Sequence, residues 1–281
     1  MIYINGVIVV NKPEGYTSRD VVNKLVCIFH TKKIGHTGTL DPLATGVLVV
    51  AIGSYTKLVN YITSYDKEYI AEIKLGVKTD TSDITGTVLE ENYNYSIDTE
   101  KVLNVFKEFP KTYYQEVPKY SAVKINGKKL YEYARENIDV ELPKREVNIY
   151  SLELLEFNNG IIKFKTKVSK GTYIRSIIED ICKKLNVMGT MNSLIRTKQG
   201  SFDIGSAINL LDINESTKLL ETEDFLDVKK LQISKDEKKL VVNGNKLNKD
   251  VSDGYYNVFV KDNKLALYEF KENEGRLVMF Y

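Results

Sequence analysis

The sequence predicts an α+β protein with a mixed, largely antiparallel sheet flanked by helices and loops, followed by a small C-terminal all-β module. Strand-like runs are interleaved with amphipathic helical segments, yet several runs are joined by short turns, which favours antiparallel pairing over a doubly wound parallel sheet. From about Asp227 onward, turn signals separate short alternating runs. We therefore predict two domains, residues 1–226 and 227–281, in a chain of 281 residues.

The N-terminal elements follow from apolar spacing. Gly6–Val10 predicts a buried strand, and a Pro- and Gly-containing turn follows it. Ser18 is the predicted N-cap of a helix whose apolar residues form one stripe. The runs Ala44–Ile52 and Glu68–Leu75 predict two further strands, the second with alternating faces. The stripe consists of Val21, Val22, Leu25, Val26 and Phe29.

The later elements are equally periodic. Residues 98–109 have helical spacing, and residues 162–168 alternate apolar side chains with lysines, as in a half-buried strand. Gly171 ends that strand, and Ile174, Ile177, Ile178, Ile181 and Leu185 predict the buried face of a helix. Arg175 lies in the first turn of this helix, where a cation opposes the helix dipole by ~0.3–1 kcal/mol. We therefore expect another group to use Arg175.

Composition narrows the functional classes. The chain is 43% hydrophobic and 28% charged, and its longest apolar run falls short of the ~18 residues that suggest a membrane span. Its N-terminal segment has no basic region followed by a small-residue cleavage site, so we expect a cytoplasmic protein. The two cysteines and two histidines have no zinc-ligand spacing, and no cofactor motif is present. We expect neither a metal nor a cofactor, and a carboxylate site for magnesium is the one alternative left open.

Charge is unevenly distributed along the chain. The formal net charge is only +2, but residues 161–200 contain nine lysines and arginines against two acids, a net charge of +7. Such a segment is typical of a surface that faces a polyanion, although charge alone is equally compatible with an ordinary solvated face.

The segment Gly35–Gly46 is the most punctuated part of the chain. It contains three glycines, a proline and one carboxylate, Asp41, directly before an apolar strand. A phosphate-binding loop is excluded because no lysine follows either Gly38 or Gly46. Taken alone, Asp41 before Pro42 is more often a turn residue than a catalytic one.

Six ordered blocks, spread over residues 5 to 205, resemble the TruB-type tRNA pseudouridine synthases. The segment Gly35–Gly46 resembles their catalytic motif, and Lys170–Arg175 resembles their arginine motif. The remaining blocks are Lys12–Gly15 with Thr17 and Ser18, Tyr69 with Leu75–Asp83 and Gly86, Pro118–Lys124 with Gly127–Arg135, and Leu194–Thr197 with Gly200 and Phe202.

The resemblance implies the pseudouridine synthase fold and isomerisation of uridine to pseudouridine at position 55, in the T-loop of tRNA, without a cofactor. Asp41 would be the nucleophile, and Arg175 would pair with its carboxylate. Tyr69 would stack on the flipped uracil and help to move the C5 proton, and Leu194 would close the other side of the base. His36 would contact displaced loop nucleotides.

The resemblance also implies secondary roles. Tyr173 would pack near the carboxylate, Lys170 would bind RNA, and Lys12 would either support the fold or contact RNA. Arg196, for which the resemblance implies contact with RNA, matches one of two basic residues that many relatives carry at this place, and Ile195 stands where the other is expected. The C-terminal module resembles a PUA-like, RNA-contacting domain by position and texture. The expected partner is the T-arm of tRNA, with no membrane and no obligate protein partner, so we expect a monomer.

Two other functions remain open at this point. A non-catalytic RNA-binding or tRNA-folding protein on the same scaffold would not need Asp41 for its function. A glycoside hydrolase would need two carboxylates facing the scissile bond, and only Asp41 stands out.

Overall fold

The computed structural model describes residues 4–281; the first three residues, part of the N-terminal segment from which we expected a cytoplasmic protein, lie outside the described residues. Within residues 4–281 the helices are α1 (Ser18–Ile28), α2 (Val59–Thr63), α3 (Thr99–Lys107), α4 (Leu130–Arg135), α5 (Ile174–Leu185) and α6 (Lys235–Val242). In this part of the chain, no helix is both long and apolar enough to cross a membrane.

The strands are, in chain order, β1 (Gly6–Lys12), β2 (Ile34–His36), β3 (Thr45–Ile52), β4 (Lys67–Leu75), β5 (Val77–Thr79), β6 (Val88–Glu91), β7 (Thr112–Glu116), β8 (Lys124–Ile125), β9 (Lys128–Lys129), β10 (Lys144–Asn158), β11 (Ile161–Val168), β12 (Gly189–Gln199), β13 (Phe202–Asp203), β14 (Ile208–Asn209), β15 (Val228–Gln232), β16 (Leu247–Asn248), β17 (Gly254–Val260), β18 (Asn263–Lys271) and β19 (Glu274–Phe280). The residues group into two compact units: residues 4–42, 47–63 and 201–281 form the first, and residues 43–46 and 64–200 form the second. The predicted domain boundary after residue 226 stays a prediction.

The second unit is built on an antiparallel sheet with the strand order β12-β4-β11-β10-β7. Helix α5 packs on β12 and β4, and α3 packs on β10 and α5. The predicted strands at 68–75 and 162–168 and the predicted helix after Thr172 are confirmed, because β4 and β11 alternate between buried and partly exposed side chains and α5 buries its isoleucine face.

The first unit contains a mixed sheet. Strand β1 lies between β14 and β3, pairs in parallel with β14, and β2 pairs antiparallel with β3. Helix α1 begins one residue earlier than we predicted. Its N-cap is Thr17, which exchanges hydrogen bonds with Asp20 in a capping box, so the prediction of Ser18 as the N-cap is wrong and Ser18 is the first helical residue.

The first unit also contains the C-terminal module, a second sheet with the strand order β15-β17-β18-β19-β16. It has its own apolar core, which includes Val258, Ala266 and Phe270. Helix α6 belongs to this module and was not predicted from the sequence. The C-terminal Tyr281 ties the module to the rest of the first unit: its ring lies 6.1 Å from that of Tyr55, centroid to centroid, and its hydroxyl is 2.6 Å from the Thr222 hydroxyl. The predicted α+β class, with a mixed and largely antiparallel sheet and a C-terminal β module, is confirmed.

Candidate active site

The Asp41 loop joins β2 to β3, and most of it lies in the first unit. Asp41 is half-buried. Hydrogen bonds hold backbone groups of the two neighbouring residues, Leu40 and Pro42. The Leu40 N–H donates to Ser18 Oγ at 2.9 Å, and Ser18 Oγ donates to the Leu40 carbonyl at 3.3 Å. The Pro42 carbonyl accepts from the Gly15 N–H at 2.9 Å and from Lys12 Nζ at 3.2 Å. The chain is therefore held on both sides of Asp41.

Lys12 is fully buried, and its ammonium group acts on the backbone. Besides the Pro42 carbonyl, it donates to the carbonyls of Pro13 at 2.9 Å and Tyr16 at 2.6 Å. Of the two roles that the resemblance left open for Lys12, this geometry favours support of the fold over contact with RNA.

His36 ends β2, where it pairs with Val50 of β3. Its Nδ1 accepts a hydrogen bond from the Gly38 N–H at 3.3 Å, which requires the imidazole tautomer that carries no proton on Nδ1. The next residue, Thr37, is buried and donates to the Val49 carbonyl through both its N–H, at 3.0 Å, and its hydroxyl, at 3.2 Å. The half-buried His36 is thus fixed at the start of the same loop.

In the second unit, a row of paired residues crosses four neighbouring strands. Gly46 pairs with Arg196, Arg196 with Tyr69, and Tyr69 with Thr166. Tyr69 is 7% exposed and Arg196 is 1% exposed. Leu194, two residues before Arg196 in β12, is also buried and pairs with Ala71. Because side chains two residues apart in a strand share a face, Tyr69, Leu194 and Arg196 lie on one face of the sheet.

Gly46 permits the close approach of the two strands in this row. Its φ is +96°, and a Cβ atom at this position would lie 2.3 Å from the Arg196 carbonyl oxygen. No other residue avoids both the left-handed strain and this backbone contact. The last glycine of the Gly35–Gly46 segment therefore serves the pairing of β3 with β12.

Arg175 lies in the first turn of α5 and is 5% exposed. Its guanidinium group donates to the Thr81 carbonyl at 3.0 Å and to the Tyr120 carbonyl at 2.8 Å. Both acceptors belong to segments that resemble family motifs. These contacts fix the direction of the guanidinium group and supply part of the explanation for a cation at a helix N-terminus.

Gln115 anchors the start of α5, and sequence reasoning missed it. Its Oε1 accepts from the Tyr173 N–H at 2.8 Å, and its Nε2 donates to the Tyr173 carbonyl at 3.1 Å. The side chain is 1% exposed. The ring of Tyr173 is half-buried, and the Arg145 guanidinium carbon lies 5.7 Å from its centroid. Nothing in the local pattern of β7 distinguishes Gln115 from a surface glutamine, because its partner is 58 residues away.

Lys67 is a second residue that sequence reasoning missed. It lies two residues before Tyr69 on the same buried face of β4 and donates to the Tyr65 carbonyl at 2.6 Å. Burial, together with the charges of Arg196 and Lys170 and against an opposing effect of Asp66, lowers the pKa of the Lys67 ammonium to about 8. The alternation of β4 contains the signal for Lys67, because it places residue 67 in phase with Tyr69.

The basic segment at 161–200 presents less positive charge to solvent than its net charge suggests. Three lysines of β11 form ion pairs with acids on or next to β4: Lys163 with Glu72 at 3.5 Å, Lys165 with Glu68 at 3.2 Å, and Lys167 with Asp66 at 4.0 Å. Lys170, in the turn after β11, is exposed. The charge that faces solvent is therefore smaller along the strand than in the turn that follows it.

Among residues 4–281, no group of three or more His, Cys, Asp or Glu side chains is placed to hold a metal ion. Comparison with known proteins identifies the family. A sequence profile described as "TruB family pseudouridylate synthase (N terminal domain)" matches residues 27–174. The chain belongs to the TruB family of pseudouridylate synthases. Sequence relatives and a solved structure agree with this assignment.

The relatives extend the similarity beyond the profile. The chain is 50% identical over 212 residues to "tRNA pseudouridine synthase B" of Clostridium tetani, covering 75% of this chain and 73% of that protein. It is 40% identical over 269 residues to the protein of the same name from Caldicellulosiruptor saccharolyticus, covering 92% of each. A chain in the crystal structure of a Cbf5-Nop10-Gar1 complex superposes with a TM-score of 0.70 at 25% identity, covering 98% of this chain and 84% of that one.

The TruB-family assignment confirms the resemblance drawn from the six sequence blocks, the predicted fold and the prediction of an isomerase. It favours the enzyme over the non-catalytic RNA-binding alternative. The structure groups the predicted site residues within each unit: His36, Asp41 and Lys12 belong to or support one loop of the first unit, and Tyr69, Leu194 and Arg196 share one sheet face of the second.

Proposed function

We propose that this TruB-family enzyme converts uridine to pseudouridine at position 55, in the T-loop of tRNA, with Asp41 as the nucleophile. Support comes from the relatives named tRNA pseudouridine synthase B. The observation that carries the assignment of Asp41 is the fixed backbone on both sides of this residue, which gives a carboxylate in a flexible-looking Gly- and Thr-rich segment a defined direction.

The reaction is an isomerisation that needs no external oxidant or reductant. The bond between N1 and the ribose C1′ breaks, the uracil turns, and a bond forms between C5 and C1′. The proton on C5 is lost, and N1 gains one. An ionised Asp41 serves this chemistry best when a cation stabilises its charge in a site that excludes water, and we assign that role to Arg175.

The remaining side chains would hold the flipped nucleotide. Tyr69 offers an aromatic ring for the uracil and a hydroxyl that can take part in moving the C5 proton, and Leu194 covers the other side of the base. His36 would contact the displaced loop nucleotides, and Tyr173 would pack near the carboxylate. Because Lys12 and Arg196 are buried, we assign them to the support of the site, and we assign phosphate contact to the exposed Lys170.

We further propose that the enzyme acts as a monomer in the cytoplasm and that the PUA-like C-terminal module contacts the tRNA. Size-exclusion chromatography of the purified protein tests the monomer. Cross-linking of the full chain to tRNA tests the module, because the full chain keeps its fold and a chain truncated after residue 226 need not.

The direct test is to incubate the purified enzyme with an unmodified tRNA transcript and to map pseudouridine at single-nucleotide resolution. We expect modification at position 55 and none in a transcript with cytidine at that position. Modification at another uridine would refute the proposed position, and no pseudouridine in any tRNA would refute the substrate class.

A further inference from the structure

We infer that Ser18 is a positioning residue for the reaction: its buried hydroxyl group fixes the peptide groups around Leu40 and, through them, the direction of the Asp41 side chain. The inference rests on the proposed role of Asp41 as the nucleophile. It assigns to Ser18 a function that its place at the start of a helix does not suggest.

Helix α1 does not need the Ser18 hydroxyl group as a cap. Thr17 Oγ1 accepts from the Asp20 N–H at 3.1 Å, and the Asp20 carboxylate accepts from the Thr17 N–H at 2.9 Å. This capping box already satisfies the start of the helix. The hydroxyl group of Ser18 is thereby available for a partner elsewhere.

The Ser18 hydroxyl group contacts the backbone of Leu40, 22 residues away in sequence. Ser18 Oγ accepts from the Leu40 N–H at 2.9 Å and donates to the Leu40 carbonyl at 3.3 Å. Ser18 and Leu40 are each 3% exposed. One hydroxyl group therefore satisfies two buried backbone groups.

The Leu40 carbonyl belongs to the peptide group that links Leu40 to Asp41, so its orientation sets the plane from which the Asp41 side chain departs. On the other side, the carbonyl of Pro42 is held by Gly15 and Lys12. Ser18 supplies the anchor on the N-terminal side. Without it, these contacts hold the backbone around Asp41 from the Pro42 side only, and misplacement by about 1 Å can lower a reaction rate by about 100-fold.

The test compares Ser18→Ala with Thr17→Ala in the full-length enzyme, with an unmodified tRNA transcript as substrate. Ser18→Ala is expected to lower kcat by about 10- to 100-fold with KM changed less than about threefold, because Asp41 acts in the transition state. Thr17→Ala removes the helix cap and is expected to lower the melting temperature while leaving kcat within about threefold of the wild type. Ser18→Thr, which keeps the hydroxyl group, is expected to recover most of the lost kcat.

A second readout does not depend on catalysis. Hydrogen–deuterium exchange at the Leu40 amide should accelerate in Ser18→Ala and stay slow in Thr17→Ala, each measured well below its melting temperature. If Ser18→Ala does not fold, Ser18→Cys takes its place, because a thiol hydrogen-bonds only weakly. Equal kcat values for the Ser18 and Thr17 variants, or unchanged exchange at Leu40, would overturn the inference. A wild-type enzyme that makes no pseudouridine would instead refute the proposed function, while the exchange experiment would still decide whether Ser18 fixes this peptide.

Discussion

Replacing Gln115 by methionine should destabilise the protein, because this one side chain satisfies both backbone groups of Tyr173. Methionine has a similar volume, so the change removes hydrogen bonds without leaving a large cavity. It leaves the Tyr173 N–H and carbonyl without the partners that now lie at 2.8 and 3.1 Å. The Tyr173 carbonyl keeps a hydrogen bond from the Ile177 N–H at 3.2 Å, so the N–H is the group that loses its partner. An unsatisfied buried backbone group costs ~1–3 kcal/mol, which is the expected loss.

Urea unfolding measures this loss directly, as a lower midpoint at an unchanged m value. The matched control is Gln232→Met in β15, because Gln232 is exposed and bonds a single carbonyl, so its replacement should change the free energy of unfolding by less than ~0.5 kcal/mol. Turnover should fall as well, since Tyr173 lies two residues before Arg175. A loss below ~0.5 kcal/mol for Gln115→Met would show that these hydrogen bonds do not hold α5 in place.

Three further predictions concern Gly46, Lys67 and Lys170. Gly46→Ala should lower the free energy of unfolding by more than ~2 kcal/mol, because it adds both left-handed strain and a contact with the Arg196 carbonyl. The control Gly127→Ala, at φ +83° with open space around the new Cβ, should lower it by only ~1 kcal/mol. Equal losses in the two variants would contradict the close approach of β3 and β12 at Gly46. At Lys67, the folded chain binds fewer protons than the unfolded chain between a pH of about 8 and the ordinary pKa of 10.5, so this group makes the free energy of unfolding rise with pH across that window. The rise should shrink in Lys67→Met. Identical pH profiles of the two proteins in urea unfolding would refute the lowered pKa. In tRNA binding, Lys170→Gln should reduce the slope of log K against the logarithm of the salt concentration by about 1. Lys165→Gln should change this slope less, because Glu68 already pairs with Lys165. The reverse order would contradict the assignment of phosphate contact to Lys170.

Local sequence patterns predicted the elements that carry the site. The alternation in 68–75 and 162–168 and the isoleucine spacing after Thr172 correspond to β4, β11 and α5, because each of these elements buries one regular face. The N-cap of α1 was misplaced by one residue even though Thr17 and Asp20 form a recognisable capping box. Helix α6 was missed although Ser234 and Glu237 form a similar capping box at its start.

Contacts between distant segments were beyond such patterns. The charge count over 161–200 could not include the acids of β4 that pair with the lysines of β11, because the register between strands is a tertiary property. The partners of Gln115 and Ser18 lie 58 and 22 residues away in sequence, so no local window contains them. The candidate catalytic residues themselves came from ordered motif resemblance, which carries long-range information that periodicity does not.

Asp41→Asn tests whether Asp41 is the nucleophile of a tRNA pseudouridine synthase. The variant keeps the size of the side chain and removes its charge. Pseudouridine at position 55 of an unmodified transcript should fall below detection, while the Kd for tRNA stays within about threefold of the wild type, because a nucleophile acts on kcat rather than on binding. Thr39→Ala, an exposed change in the same loop, should retain turnover. Wild-type turnover by Asp41→Asn would contradict the role of Asp41 as the nucleophile.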